Sequence, residues 1–296
     1  MRKRQAEAHL RDALSQPGQA LAAATELLAR LRPMDPAGAA LVLTRQPGLG
    51  GLLAQGPGAA AELAARLMDL VKAQRCLGCG TCCLASSPTL YAEDLDRIGP
   101  EGLPRQALYA LRAGERVSSA REGGSRLLER ELIKLCEHQT GADSPGRGCV
   151  FLQSGRCQVY ESRPLQCRAL ECWSGRHAGQ LAGRPRLMRA MLFQGDDTAL
   201  ALIAEYDLKL PAQELTKCLE EASQGDAQAS DQVLAMLELD HNLRQGVSGR
   251  YGYSAQDLDL MWGRSALLVA RSHGLEPVLD AGGRVVLQCI KRARVV

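Results

Sequence analysis

The sequence has few aromatic residues and little net charge. Two Phe, two Trp and six Tyr are spread over 296 residues, and the formal net charge is only +3. A surface that binds nucleic acid needs clustered basic side chains, and a base-stacking surface needs aromatic ones. The composition therefore argues against a nucleic acid partner.

Long apolar runs are scarce as well. No uncharged apolar run approaches the ~20 residues of a membrane span. The basic residues 2–4 are not followed by the apolar core of a secretory signal. We therefore expect a bacterial cytoplasmic protein with no membrane partner. Thiols stay reduced in the cytoplasm, so clustered cysteines there indicate metal binding rather than disulfides.

Apolar residues at three- and four-residue spacings predict a mainly α fold with a small, irregular α+β cysteine-rich metal-binding domain. Apolar residues make up 46% of the chain, enough for one or two domains with a core. We expect an N-terminal helical region at 1–74 and the cysteine-cluster metal-binding domain at 75–195. A C-terminal helical region at 196–296 is expected to end in a β-hairpin.

The same periodicity places the individual helices. Residues 3–31 are expected to form a helical hairpin or a kinked helix, broken at Pro17-Gly18. A loop rich in Gly and Pro is expected at 47–58, and a β-hairpin at 275–287. The other helices are expected at 37–45, 59–74, 127–135, 184–193, 198–207, 211–222, 228–245 and 254–272.

Eight of the eleven cysteines lie between residues 76 and 172. Cys76, Cys79 and Cys82 have the C-x2-C-x2-C spacing of a loop wrapped around one metal centre. The glycines between them, Gly78 and Gly80, permit the positive φ angles that such a tight loop needs. Thiolates select zinc or iron–sulfur centres over calcium or magnesium, so the sequence predicts a thiolate metal site.

Cys83 follows Cys82 directly, which bears on the number of metal centres. Consecutive side chains in an extended or turn backbone point to different sides, so these two thiols are not expected to ligate one zinc ion together. Either Cys83 serves a second centre, or the centre is a cluster that can be approached from several sides. Spacing leaves open a four-iron cluster and two four-thiolate zinc sites, and the adjacent pair favours the iron–sulfur cluster.

The remaining ligand candidates lie downstream, at Cys149, Cys157, Cys167 and Cys172. Ser154-Gly155 predicts a hairpin turn that brings the first two close together across the strand ladder. Arg163-Pro164 predicts the start of a helical turn that carries the other two. The downstream segment should therefore supply the second half of the ligand set.

Together these motifs resemble a known family. The segments C-x2-C-x2-C-C, C-x-F-L, G-x-C-x-V-Y-E-x-R-P and C-R-x-L-x-C-W are similar to those of the bacterial cysteine-cluster proteins of the YkgJ type. The resemblance covers residues 76–195. It implies a domain whose cysteines chelate zinc or iron, and it establishes no general biochemical activity.

Arg163 and Arg168 lie among the downstream cysteines and have two alternative roles. Each could form a salt bridge, to Glu161 or to Glu171. Alternatively, each donates hydrogen bonds toward thiolates and offsets the negative charge of a four-thiolate centre. The second role would make both arginines part of the cofactor-binding site.

Three cysteines stand outside these motifs: Cys136, Cys218 and Cys289. Buried free cysteines behave as small hydrophobic residues, so we expect packing roles for all three. His177 could complete a site of three thiolates and one imidazole, but a position at the surface or behind the ligands is expected.

Two classes of function follow. The first is a metal- or cluster-binding protein whose centre is structural or serves metal handling or electron transfer, with a protein partner for the helical flanks. The second is an S-adenosylmethionine-dependent protein lysine methyltransferase, since flagellin lysine methylases carry a similar cysteine motif. The sequence contains no glycine-rich cofactor loop after a strand and no recognisable acid–base constellation, so enzyme activity stays open.

Overall fold

The chain divides into two compact units in the computed structural model, and each unit combines two separate stretches. Unit 1 consists of Met1–Pro88 and Glu137–Arg184, and unit 2 consists of Thr89–Cys136 and Pro185–Val296. The predicted division at residues 74 and 195 stays a prediction. The structure describes residues 3–16, 18–32, 34–119, 124–139, 147–171, 181–280, 282 and 284–288.

Helices dominate the described residues, which confirms the mainly α fold. In chain order they are α1 (Lys3–Leu14), α2 (Ala20–Leu31), α3 (Pro36–Thr44), α4 (Leu49–Ala54), α5 (Ala60–Lys72), α6 (Thr81–Ala85), α7 (Leu165–Ala169), α8 (Arg189–Leu192), α9 (Asp197–Lys209), α10 (Ala212–Ser223), α11 (Ala227–Tyr251), α12 (Ala255–Met261) and α13 (Ala266–Ser272). Within the described part of the chain, no helix combines the length and the apolar character that a membrane span requires.

The strands are short and form two-stranded antiparallel ladders. In chain order they are β1 (Leu108–Leu111), β2 (Arg116–Ser119), β3 (Gly124–Leu127), β4 (Leu132–Leu135), β5 (Glu137–Gln139), β6 (Arg147–Cys149), β7 (Leu152–Gln153), β8 (Arg156–Cys157), β9 (Glu276–Leu279) and β10 (Val285–Gln288). The pairs are β1 with β4, β2 with β3, β5 with β6, β7 with β8, and β9 with β10. The last pair confirms the predicted C-terminal hairpin.

A helical core fills unit 1. The predicted hairpin over residues 3–31 is confirmed as α1 and α2, with Gly18 at a φ of 82° between them. The helices predicted at 37–45 and 59–74 are confirmed as α3 and α5. Apolar faces of α1 to α5 pack together, and their almost fully buried leucines include Leu10, Leu28, Leu43, Leu49, Leu63 and Leu67.

The loop predicted at 47–58 is wrong. The structure has α4 there, followed by a 3-10 turn at Gly56–Ala59. Leu49 and Leu52 of α4 are buried in the core of unit 1. Burial of these two side chains outweighs the low helix propensity of the neighbouring glycines.

The helix predicted at 127–135 is also wrong, because this stretch contributes to β3 and β4 of unit 2 instead. Ile133 pairs with Ala110 of β1 and is fully buried. Leu132 of β4 and Leu111 of β1 lie together in a small core. Pairing with a distant strand overrides the apolar spacing, which suits a helix equally well over so short a stretch.

Two other helices of unit 2 are shorter than predicted. The helix expected at 184–193 spans only Arg189–Leu192, and Arg189 is buried against Glu131 rather than solvated. The helix expected at 254–272 is divided into α12 and α13, with Gly263 at a φ of 81° between them. The helices predicted at 198–207, 211–222 and 228–245 are confirmed as α9, α10 and α11.

A buried carboxylate organises the helices of unit 2. Asp240 of α11 is fully buried. It accepts hydrogen bonds from the Tyr206 hydroxyl at 2.5 Å, the Arg244 Nε at 2.8 Å and the Ala266 amide at 2.7 Å. The Tyr206 ring stacks on Trp262 with a centroid distance of 4.5 Å. These contacts join α9, α11 and α13.

Asp240→Ala is expected to lower the free energy of unfolding by about 3–5 kcal/mol, because the buried Arg244 would lose its closest carboxylate. Urea denaturation followed by circular dichroism measures the change. Asp231→Ala is the matched control, since Asp231 is an exposed residue of the same helix. This control should shift the free energy by less than about 0.5 kcal/mol. Equal effects of the two substitutions would contradict the role of Asp240.

Candidate metal centre

The first two cysteines of the motif, Cys76 and Cys79, lie on the loop between α5 and α6, and the third, Cys82, lies on α6. Gly78 and Gly80 have φ values of 69° and 79°, which confirms the predicted left-handed turns. Leu77 and Cys79 pack against the helical core of unit 1, whereas Cys76 is exposed. The loop is therefore anchored to the core at alternate residues.

Cys82 and Cys83 lie on α6, and their sulfur atoms are 3.9 Å apart. Two thiolates on one tetrahedral zinc ion lie about 3.8 Å apart, given a Zn–S distance of about 2.3 Å. The prediction that the two side chains point to different sides is therefore wrong. It assumed an extended or turn backbone, whereas both residues lie on the helix that begins at Thr81.

The hairpin predicted around Ser154-Gly155 is confirmed as β7 and β8, and both turn residues have positive φ angles. The expected pairing of Cys149 with Cys157 across this ladder is wrong. Cys157 lies opposite Leu152, whereas Cys149 lies opposite Glu137 in the β5–β6 ladder. The chain turns between β6 and β7, so the two cysteines belong to separate ladders.

Cys167 lies on α7, as predicted, and Pro164 occupies the position directly before this helix. The helix ends at Ala169. Cys172 lies outside the described residues, as do His177 and Cys289.

Both cysteine segments line one cavity in unit 1. Its lining includes Arg32, Leu152 and Tyr160, together with the cysteines Cys76, Cys79, Cys82, Cys83 and Cys157. Cys149 and Cys167 are close enough to this group to interact electrostatically with Cys83. No two of the described cysteines form a disulfide. Five of the seven ligand candidates that the structure describes therefore line this cavity, and Cys149 and Cys167 lie near Cys83.

The thiols are neighbours without forming a coordination sphere. Among the residues that the structure describes, no three Cys, His, Asp or Glu side chains lie closely enough together to hold a metal ion. The hydrogen-bonded Cys82 thiol and then burial raise the pKa of Cys83, and burial followed by neighbouring thiols raises the pKa of Cys167. Thiolates here would repel one another, and a cation among them would remove that repulsion. The donor set therefore fits zinc or an iron–sulfur cluster.

Arg163 lies beside the downstream cysteines. Its Nη1 donates a hydrogen bond to the Tyr160 carbonyl at 2.7 Å, and its guanidinium lies 3.8 Å from the centroid of the Tyr160 ring. Burial raises the pKa of Cys157 and of Cys167, and the positive charge of Arg163 acts in the opposite direction on both. The Nη1 hydrogen bond goes to Tyr160 and not to a thiol, and the charge-offsetting role of Arg163 stays a prediction. Arg168 is exposed on α7, and its role stays a prediction.

Arg32, which sequence reasoning missed, follows α2 and is only 2% exposed. Its Nη1 donates to the Leu70 carbonyl at 2.9 Å and to the Ala73 carbonyl at 2.7 Å, and its Nη2 donates to the Arg75 carbonyl at 3.2 Å. Arg32 therefore holds the chain where it leaves α5 and enters Cys76. A single arginine after an apolar helix belongs to no motif that would have revealed this role.

Asp35 was missed as well, and it connects α3 to α6. Its carboxylate accepts hydrogen bonds from the Gly38 amide and from the Thr81 hydroxyl, both at 2.7 Å. Burial acts to raise the pKa of Asp35, but these hydrogen bonds together lower it below its ordinary value. Asp35-Pro36 is a recognisable helix N-cap in the sequence. Its bond to Thr81 depends on tertiary packing.

Two irregular segments thus place their thiols around one cavity in unit 1. The family model CxxCxxCC, described as a putative zinc- or iron-chelating domain, matches residues 75–184. Residues 75–184 are therefore similar to this family, which confirms the resemblance in the motifs. The match covers less than half of the chain and includes residues of both units. No curated protein and no solved structure matches the chain.

Thr81→Val is expected to raise the pKa of Asp35 toward its ordinary value, because the carboxylate loses a hydrogen bond that stabilises its charged form. The folded pKa of Asp35 lies below the unfolded value in the wild type. Its contribution to stability is therefore fully present above the unfolded pKa, about 3.9, and is lost as the pH falls through the folded pKa. NMR titration of the Asp35 carboxyl carbon measures the midpoint.

Thr44→Val is the control for this titration, since Thr44 lies at the end of the same α3 and its hydroxyl donates to the Leu41 carbonyl. It should leave the Asp35 midpoint unchanged. An unchanged midpoint in Thr81→Val would show that Thr81 does not stabilise the Asp35 carboxylate.

Proposed function

We propose that the cavity of unit 1 holds a resident metal centre through cysteine thiolates. The observation that carries the proposal is the convergence of two distant cysteine segments on one cavity without disulfides. The proposed ligands are drawn from Cys76, Cys79, Cys82, Cys83, Cys149, Cys157, Cys167 and Cys172.

The proposed role of the centre is structural. In the described part of the cysteine segments, the regular elements are the end of β6, the short helices α6 and α7 and the two-residue strands β7 and β8, so these segments have few backbone hydrogen bonds of their own. A bound metal would supply cross-links between them. For structural zinc in peptides, this binding free energy reaches ~10–16 kcal/mol and is part of the folding free energy.

An iron–sulfur cluster is the centre that we propose first, with zinc as the alternative. Eight candidate thiolates suffice either for a four-iron cluster or for two four-thiolate zinc sites, so their number alone does not select the metal. The Gly78 amide donates to the Cys76 sulfur at 3.4 Å, and backbone amides also bond Cys149 and Cys157. Such bonds stabilise thiolates and adjust the potential of an iron–sulfur cluster.

A thiolate centre requires a reducing compartment, which supports a cytoplasmic location for the chain. A protein partner for the helical flanks stays a prediction. Lysine methylation with S-adenosylmethionine is also untested, and among the described residues we find no observation that favours it.

Cys79→Ser and Cys157→Ser are expected to lower both the metal content and the soluble yield, because each removes a thiolate from one of the two cysteine segments. Anaerobic purification, elemental analysis for iron, zinc and sulfide, and a visible absorption spectrum measure the outcome. A brown chain with iron and sulfide would support the cluster, and a colourless chain with zinc would support the alternative.

Cys218→Ala is the matched control, because Cys218 is buried on α10 of unit 2 and bonds the Gln232 side chain. It should leave the metal content unchanged. Cysteine-to-serine variants that fold with wild-type stability but hold no metal would refute the structural role. A wild-type chain without iron or zinc would refute the metal centre itself.

Arg163→Gln is expected to weaken metal retention by about 10- to 100-fold, a loss typical for residues that support metal ligands. The physical reason is that the Arg163 charge favours the thiolate forms of Cys157 and Cys167. Chelator competition measures the affinity. Arg156→Gln is the control, since Arg156 is an exposed residue of β8 directly before Cys157. Equal losses in both variants would argue against a specific role for Arg163.

A further inference from the structure

One face of α3 lies against the first cysteine loop. Asp35, Gly38, Leu41 and Arg45 are three or four residues apart, so they share this face. A Cβ atom added at Gly38 would lie 2.7 Å from the Cys79 carbonyl oxygen. The backbones of α3 and the cysteine loop are therefore in direct contact, with no room for a side chain at this position.

Arg45 ends this face and contacts both cysteine segments at once. Its Nη1 donates to the Gly78 carbonyl at 3.4 Å and to the Gly155 carbonyl at 3.0 Å, and its Nη2 donates to the Ser154 carbonyl. Gly78 lies in the middle of the first C-x2-C loop, and Ser154 and Gly155 form the turn of the downstream hairpin. The half-buried guanidinium of Arg45 therefore donates hydrogen bonds to main-chain carbonyls of both cysteine segments.

The downstream turn also packs directly on α3. Gly155 has a φ of 67°, which disfavours any other residue. A Cβ atom added there would overlap the Leu41 Cδ2 and lie 2.9 Å from the Arg45 Nη2. The turn can approach Arg45 this closely because glycine occupies this position.

We propose that Arg45 is a positioning residue of the metal site, which aligns the two cysteine segments on α3 so that their thiols share one centre. Segments that are aligned before binding do not have to be ordered by the metal, and such preorganisation raises affinity. Arg45 lies outside residues 75–184, so the functional site extends beyond the matched domain. This inference rests on the proposed function.

The test compares full-length wild type with Arg45→Ala and Gly155→Ala. Each chain is purified anaerobically, its metal is measured, and the chelator-treated chain is titrated with Co²⁺. Thiolate-to-cobalt charge-transfer absorption reports how many thiolates reach one ion. We expect both variants to bind Co²⁺ about 10- to 100-fold more weakly. We also expect a weaker charge-transfer band per bound cobalt, because fewer thiolates from the two segments meet.

Arg66→Ala is the matched control. Arg66 of α5 also donates to a loop carbonyl, that of Pro47 at 3.0 Å, and it pairs with Glu62. Neither partner belongs to a cysteine segment, so affinity and band intensity should stay at wild-type values. Arg45→Lys keeps the positive charge but loses the planar guanidinium group that donates to several carbonyls at once. Its affinity for Co²⁺ should therefore lie between those of Arg45→Ala and the wild type.

The outcomes separate the inference from the proposed function. Wild-type affinity and band intensity in Arg45→Ala and Gly155→Ala would overturn the positioning role and leave the metal centre standing. A wild-type chain that is isolated without metal and gives no thiolate–cobalt band would overturn both. If Arg45→Ala does not fold, the folded Gly155→Ala variant decides the question by the same two readings.

Discussion

Hydrogen bonds from arginine side chains to main-chain carbonyls hold the cysteine loop, on which the proposed metal site is built. Residues 73–80 form neither helix nor strand, so their carbonyls need other donors. Arg32 bonds the chain just before Cys76, and Arg45 bonds the carbonyl of Gly78. Both arginines come from the ends of N-terminal helices. The cysteine site is therefore built by unit 1 as a whole.

The two units stabilise their polar interiors in different ways. In unit 2, buried arginines face carboxylates: Arg189 pairs with Glu131 at 2.8 Å, and Arg244 pairs with Asp240 at 2.8 Å. Each charge has an opposite partner, which buried ions require. In unit 1, thiols face other thiols around a cavity, and their raised pKa values reflect burial and mutual repulsion. A cation at that cavity would favour the thiolate forms, because it offsets their negative charge.

Local patterns predicted much of this architecture. Amphipathic helices such as α5 were predicted because their apolar spacing repeats over several turns. The positive φ angles of Gly78 and Gly80 followed from the tight cysteine spacing. The stretch at 127–135 was assigned to a helix, because a short apolar run is compatible with either structure until its strand partner is known. The predicted approach of Cys149 to Cys157 across one ladder was wrong for the same reason. The strand that pairs with Cys149 is β5, which contains Glu137.

The amino-acid sequence alone determined the chemistry of the site: clustered thiols, the glycine turns between them and a preference for zinc or iron–sulfur. These properties depend on residue type and on spacings of a few residues. Tertiary structure decided that Arg32 and Arg45 reach the cysteine loop. Such contacts join residues far apart in the chain. They depend on how α2, α3 and α5 pack, and a lone arginine at a helix end leaves no periodic signal of that packing.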